Sequence, residues 1–227
     1  MNNLSLLTFN IECSKYQTRH EKINQLLEFI KYKKIDCVCL QDVNTTSLSI
    51  LKSKLGNYNA VEGLGEEKMK TSQVTLLNNS IQILEEYSYD MPSLESKEIL
   101  GCRILWNEKE IEIINVHLEE SDETYREKQI DTIYEISKED DKSIIVGDFN
   151  INTTSDKANI MIINDKKFTD AWINSGCIMC LRNTTFINNT WSRSSRLFYV
   201  KTFLNCMCTG LLNFNSNKSI VTFLISE

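Results

Sequence analysis

"SIIVGDFNIN", residues 143–152, sets a short apolar run against an abrupt stop made of an acid, an aromatic and an amide. A compact apolar run bounded by turn-forming residues reads as a buried strand. Asp148 and Asn150 stand two positions apart, so an extended chain running through both puts them on one face. A strand held in a sheet core fixes its terminal side chain with small positional error, so several such ends can build a site. Three more runs end the same way. LSLLTFNI (4–11) arrives at Asn10, IDCVCLQ (35–41) at Gln41 and Asp42, and EIEIINVHL (110–118) at His117.

The segments between these strands supply the layers. Ile23, Leu26, Leu27 and Ile30 fall at i, i+3, i+4 and i+7, which predicts a helix with that stripe inward and Lys22, Glu28 and Lys31 in water. A shorter helical segment around Leu48, Leu51 and Leu55 is closed by Gly56. Strands are then expected at YNAVEG, QVTLLNN, IQILEEYSY and ILGCRILW, between residues 58 and 106. The alternation in IQILEEYSY and EIEII predicts one face buried and one in solvent. RILW, NEKE and IEIINVHL should form a hairpin. SDETYREKQIDTIYEISKE (121–139) is a second amphipathic helix, with Ile130, Ile133 and Tyr134 inward and a Thr124 to Glu127 capping-box pattern near its start. Apolar runs at 197–204 and 220–225 are candidates for closing strands. This order predicts two sheets packed face to face with helices outside, a four-layer α/β/β/α sandwich of the α+β class.

Composition narrows the function. At 227 residues one domain spanning 1–227 is expected, and seven Gly with one Pro (Pro92) leave no linker-like stretch. The net charge of −6 argues against a broad basic face that coats nucleic acid, while leaving room for a small phosphate pocket. The opening MNNLSLLTFNI has a short apolar stretch, no basic leader and no small-residue cleavage pattern, so neither a signal peptide nor a membrane span is expected. Eight cysteines, three of them inside expected strands, point to a reducing, intracellular compartment. Cys177 and Cys180, with Cys206 and Cys208, hold thiols enough for zinc, but structural zinc more often takes two C-x2-C knuckles and free cysteines are commonly buried hydrophobes. Arg182, Arg193, Arg196 and Lys201 form a modest basic patch, each read singly as solvated surface charge.

Asp42 and Asp148 are oxygen donors of the kind Mg²⁺ prefers, and His117, Asn10 and Asn150 can hydrogen-bond a phosphate without adding negative charge. Such a set suits phosphodiester hydrolysis, in which a metal neutralises developing charge and the protein orients the reactants. Each residue also has a plain structural reading. Asn10 and Asp42 can serve as caps, Asn150 can make an Asx turn, and His117 can be a satisfied core histidine.

Four stretches in order carry a resemblance: "TFNI" (8–11), "LQDV" (40–43), "NVHLEES" (115–121) and "GDFNI" (147–151). On them the chain resembles the endonuclease/exonuclease/phosphatase superfamily, with the deoxyribonuclease I-like fold. Within it the chain is similar to tyrosyl-DNA phosphodiesterases acting on 5′ ends, through "HLEES" running into a helix, "FTDAW" (168–172) and "NTW" (189–191). The resemblance covers about residues 4–191 and leaves 192–227 divergent. It implies Mg²⁺, or Mn²⁺ in its place, held mainly by Asp42. It implies phosphate contacts from Asn10, His117 and Asn150, and orientation of nucleophile or leaving group by Asp148. Trp191 matches a Trp beside the substrate groove, and a buried Trp is an equal reading of it. The implied substrate is a nucleic acid end or other phosphodiester, handled by a monomer with no membrane partner.

Two departures bear on activity. The matching metal-binding acid is normally Glu, one methylene longer than Asp42. The terminal Ser-Asp-His, whose histidine is the usual general base, best aligns with "SNKS" (216–219), which puts Asn217 and Lys218 at the Asp and His positions; an expected Asp is likewise Phe198 in "SRLFYV". His20 and His117 are the chain's two histidines. A lysine near its reference pKa of about 10.4 is protonated at neutral pH and is no base. Two readings stay open: a phosphodiesterase of reduced activity, and an inactive family member that binds a phosphate-bearing ligand or a protein. The irregular tail fits decay, frameshift or specialisation alike.

Overall fold

In chain order the elements are β1 (Leu4–Asn10), α1 (Tyr16–Lys33), β2 (Cys37–Val43), α2 (Thr45–Lys54), β3 (Tyr58–Glu62), β4 (Ser72–Asn78), β5 (Gln82–Asp90), β6 (Glu98–Trp106), β7 (Lys109–His117), α3 (Glu123–Ser137), β8 (Ser143–Asp148), α4 (Lys157–Asn164), β9 (Phe168–Asp170), α5 (Ala171–Asn174), β10 (Thr185–Ile187), β11 (Thr190–Ser192), β12 (Ser195–Val200), β13 (Asn205–Asn213) and β14 (Ser219–Ser226). They come from a computed structural model that describes residues 3–11, 16–63, 72–94, 96–137, 142–151, 156–164, 168–176, 185–187, 190–192, 195–200, 205–213 and 219–226. The strands make two six-stranded mixed sheets, β13-β14-β1-β2-β4-β3 and β5-β6-β7-β8-β12-β9, with β10 and β11 as a separate hairpin.

Strand alternation divides the buried side chains among three apolar layers. Leu4 and Leu6 of β1, Cys37 and Cys39 of β2, Leu100 and Cys102 of β6, Ile111 and Ile113 of β7, and Ile144 and Val146 of β8 meet between the sheets. The opposite faces of β1 and β2, with Leu7, Phe9, Val38 and Leu40, receive the α1 stripe Ile23, Leu26, Leu27 and Ile30. Those of β7 and β8, with Ile114, Val116 and Ile145, receive Ile130 and Ile133 of α3 together with Ile162 of α4. This is the four-layer α/β/β/α sandwich, and the helical stripes read from the sequence face inward as expected. Among the described residues no helix is long and apolar enough to cross a membrane.

The hairpin between β6 and β7 turns on Asn107 and Glu108 alone, with Trp106 opposite Lys109. Both turn residues have positive φ, 49° and 62°, the type I′ geometry whose twist matches that of the flanking strands. The closing strands β12 and β14 overlap the runs expected at 197–204 and 220–225, and β13 is a further strand that neither run covered. β12 pairs with β8, and β14 lies antiparallel between β13 and β1, with Val221, Phe223 and Ile225 buried.

Three local expectations are corrected. From Ile111 onward β7 is buried on both faces, because it lies inside its sheet and α3 covers the side away from the core. The Glu112 carboxylate is therefore buried, accepting from Tyr87 Oη at 2.7 Å and Ser143 Oγ at 2.6 Å. β5 lies at a sheet edge, so it is mostly exposed and offers little of a buried face. The start of α3 is capped by Asp122, whose Oδ1 accepts from Thr124 N at 2.7 Å and Tyr125 N at 3.3 Å, and not by a Thr124 to Glu127 box. A carboxylate one residue before the helix reaches the open amides directly. Cys37, Cys39 and Cys102 are free thiols in the core between the sheets, and burial pushes the Cys102 thiol up, as suits inert hydrophobes.

Candidate functional site

The phase that fills the core between the sheets also delivers the site. On β1 the side chains facing that core are Leu4, Leu6 and, continuing by twos, Thr8 and Asn10; on β7 they are Ile111, Ile113, Asn115 and His117; on β8 they are Ile144, Val146 and Asp148. Asn10, His117 and Asp148 are thus the last residues of three faces that point at one another. Parallel register sets His117 level with Asp148, and all three are buried. Gly147, just before Asp148, has φ +149°, and a Cβ there would meet the Val116 carbonyl oxygen at 1.9 Å, so only glycine lets β8 approach β7 this closely.

Asp42 arrives by a different route. Regular alternation on β2 would send it to the helix side with Val38 and Leu40. The ladder with β4 instead slips between Leu40 and Val43, and Asp42 takes φ +56° in the left-handed region. This bulge turns its carboxylate across the gap, with Oδ1 3.4 Å from His117 Nδ1. The next helix is capped not by Asp42 but by Asn44, whose side chain accepts from Ser47 N at 2.8 Å.

The polar contacts fix one another in sequence. Asn10 Nδ2 donates to Asp148 Oδ2 at 2.9 Å, which sets the orientation of the amide, because its oxygen would be repelled by the carboxylate. The same Nδ2 lies 3.4 Å from His117 Nε2, so that ring nitrogen accepts and the proton of the neutral ring sits on Nδ1, facing Asp42. Asn10, Asp42, His117 and Asp148 are in this way brought together from both sheets. Asn150 is placed differently from the reading that paired it with Asp148 on one strand face. The strand ends at Asp148, Phe149 is buried against the helices, and Asn150 has φ +50°. Its backbone N donates to Asp148 Oδ1 at 3.2 Å and its Nδ2 to the Leu118 carbonyl at 2.8 Å, so it ties the turn after β8 to the end of β7.

Sequence reasoning missed several supporting groups. Lys97 Nζ lies 3.5 Å from His117 Nδ1, carried by a turn in which Lys97 N donates to Ser93 Oγ at 2.7 Å and Met91 N to the Lys97 carbonyl at 2.8 Å. No motif marks it, since it precedes β6 by one residue and meets the site only through the fold. One layer below the site, Gln41 Nε2 donates to Thr8 Oγ1 at 3.1 Å and, across the gap, to Asn115 Oδ1 at 2.8 Å. Asn115 Nδ2 reaches the Leu40 and Val74 carbonyls, both at 3.2 Å, where the β2 and β4 ladder breaks. Its place two residues before His117 on the same strand face was the available signal. Burial pushes the Glu119 carboxyl up, but donation from Ser121 Oγ, Leu94 N and Ser121 N, with the charge of Lys97, leaves it below the usual carboxylate range.

Arg126 donates through Nη1 to the Glu119 and Glu120 carbonyls, and through Nε and Nη2 to Asp156 Oδ2 at 3.1 and 2.7 Å. This buried pair joins the residues after His117 to Asp156, just before α4. Arg196, read as surface charge, is instead buried and donates to Asn159 Oδ1 at 2.6 Å. Trp191 contributes its backbone to β11. Its side chain, with Lys218, Asn217, Cys177 and Cys180 entire and the side chains of Phe198, Cys206 and Cys208, lies outside the described residues.

The fold has close counterparts among solved structures. D. rerio TDP2 in complex with a single-strand DNA product superposes with a TM-score of 0.85 at 18% identity, over 100% of both chains. An endonuclease/exonuclease/phosphatase from Bacteroides vulgatus gives 0.84 at 15%, over 100% of this chain and 99% of that one. A mannosyl-6-phosphatase from Bacteroides thetaiotaomicron gives 0.78 at 13%, over 99% of this chain and 100% of the other. At these identities the likeness is one of fold. No curated protein matches the chain by sequence. A sequence profile described as the endonuclease/exonuclease/phosphatase family matches residues 7–197, which takes in every strand end of the site, and the chain belongs to that family.

Proposed function

We propose that the protein is a divalent-metal-dependent phosphodiesterase acting at nucleic acid ends, in the manner of 5′-tyrosyl-DNA phosphodiesterases, at a reduced rate. The observation that carries this reading is the hydrogen-bonded run from Asp148 through Asn10 to His117, with Asp42 against the same ring, assembled from the ends of four strands. The product-bound D. rerio TDP2 structure supports the choice of a nucleic acid end.

The donor set fits Mg²⁺ better than a soft metal. Among the described residues no three His, Cys, Asp or Glu side chains cluster as a metal cage. Mg²⁺ needs none, since it keeps several waters and takes one or two carboxylates with substrate phosphate oxygens. Asp42, whose side chain is partly exposed, is the residue that would hold it. When bound, the ion supplies charge neutralisation at the phosphate.

The chain's own groups do the rest. Asp148, fixed by Asn10 Nδ2 and Asn150 N, accepts from and aims the attacking water. The water oxygen bonds to phosphorus as the bond to the leaving oxygen breaks, and the water's proton passes to solvent. Lys97 presents its ammonium to the phosphate, and Asn10 and His117 turn their N–H groups to it as it replaces the contacts those groups otherwise make. With Asn217 and Lys218 where the usual Asp-His stands, no positioned histidine takes the water's proton, a loss of roughly 10²–10⁴-fold. A phenol of pKa about 10 leaves more readily than an alkyl alcohol, so aryl esters are the favoured substrates.

The test is release of tyrosine from a 5′-tyrosyl oligonucleotide with and without Mg²⁺, beside a plain oligonucleotide and mannose 6-phosphate. Metal-dependent release that is lost in Asp148→Asn is expected. No release, or release indifferent to that change, sinks the reading. The chain's having only His20 and His117 favours one alternative, a binding protein without turnover. It requires that the oligonucleotide bind by fluorescence anisotropy while remaining intact.

A further inference from the structure

Asp42 and Lys97 approach the same nitrogen. Asp42 Oδ1 lies 3.4 Å and Lys97 Nζ 3.5 Å from His117 Nδ1. The amide of Asn10 occupies Nε2, so Nδ1 carries the ring proton. An ammonium has only donors and cannot bond to a protonated nitrogen, so hydrogen bonding to the ring does not hold Lys97 there. Negative charge attracts it: the Asp42 carboxylate beside the same nitrogen, and Glu119, whose carboxyl Lys97 helps to hold down. The lysine is also placed by its backbone. Its turn is tied to Glu119 by Leu94 N donating to Oε2 at 3.1 Å, and to α3 by Gln129 Nε2 donating to the Pro92 carbonyl at 2.9 Å.

We propose that Lys97 is a tethered cation on the metal-binding side of the site, and that its ammonium and a divalent ion oppose each other for Asp42. The inference rests on the reading of Asp42 as the metal-holding residue. Two positive charges beside one short carboxylate repel. A divalent and a monovalent charge about 6 Å apart in a water-like dielectric weaken ion binding about tenfold. The chain then binds its metal loosely until a phosphate enters, because the phosphate's negative charge offsets both cations at once.

The test is Mn²⁺ binding to the whole protein, read by loss of the free-ion electron paramagnetic resonance signal, with no substrate turned over. Lys97→Met should tighten Mn²⁺ about tenfold. Lys97→Arg, which keeps the charge, should leave it within about twofold, and melting temperature checks that both variants are folded. A nonhydrolysable phosphodiester should tighten Mn²⁺ more in the native protein than in Lys97→Met. If the native protein binds Mn²⁺, loses it in Asp42→Asn, and Lys97→Met leaves affinity unchanged or weaker, the opposition is overturned while the metal-site reading stands. If Mn²⁺ binding is absent, or indifferent to Asp42→Asn, both fall.

Discussion

Replacing Asn115 by Leu removes the amide that bridges the two sheets one layer beneath the site. Its Nδ2 serves the Leu40 and Val74 carbonyls where the β2 and β4 ladder opens, and its Oδ1 takes the Gln41 proton at 2.8 Å. Leucine has similar bulk, so the cost is chiefly that of buried polar groups left without partners. Two backbone acceptors, at about 1–2 kcal/mol each, give a loss of roughly 3 kcal/mol, while Gln41 Nε2 keeps Thr8 Oγ1 and the Cys39 carbonyl as acceptors. With a urea dependence of about 3 kcal/mol/M for a chain of this size, the unfolding midpoint falls by about 1 M. The double variant Gln41→Leu/Asn115→Leu should cost less than the sum of the single changes, because each single change already removes the bond that Gln41 and Asn115 share. Mn²⁺ affinity should fall as well, since the break that Asn115 bridges is the bulge that turns Asp42 toward His117. Urea unfolding followed by circular dichroism decides the matter. A loss under about 1 kcal/mol for Asn115→Leu, or strict additivity in the double variant, refutes the account.

Other changes test other parts of the structure. Arg126→Ala leaves Asp156 buried and unpaired, and should cost about 3–5 kcal/mol in the same assay. Glu108→Gly relieves a side chain held at φ 62° in the type I′ turn and should add about 1 kcal/mol, read as a rise in melting temperature of a few degrees. Glu119 titrates below its ordinary value in the folded protein, so its contribution is fully present above the unfolded carboxylate pKa of about 4.3 and disappears as pH falls through the lowered folded value. Glu119→Gln should therefore flatten the acid limb of stability against pH, with melting curves from pH 3 to 6 as the measurement.

Legibility in the sequence followed the range of the forces involved. Alternation within a strand is local, so the faces of β1, β7 and β8 could be read residue by residue, and with them the meeting of Asn10, His117 and Asp148. Asp42 belonged to the right strand end, but the bulge that aims it depends on pairing with β4 and on an amide from the other sheet. Asn150 was misplaced because alternation was carried past the point where the chain leaves the strand at Asp148. EIEII read as half-exposed because period-two polarity says nothing of what covers each face. There Glu112 finds two hydroxyl partners distant in sequence, Tyr87 and Ser143. Lys97 could not be read at all, since only tertiary structure brings it beside His117.

The pairing of β14 with β1 has a consequence in time. Asn10 lies on a strand flanked on one side by β2, which follows it closely in the chain, and on the other by Ser219–Ser226, which is made long after it. Until β14 has been made, β1 offers a bare hydrogen-bonding edge, with Leu4, Leu6 and Leu7 beside it. Such an edge is open to wrong partners until its own arrives, and pairing across so long a stretch of chain is slow. The site therefore matures only after β14 has been made. Yield of active protein should depend on translation speed, temperature and chaperone supply more steeply than the stability of the finished fold would suggest.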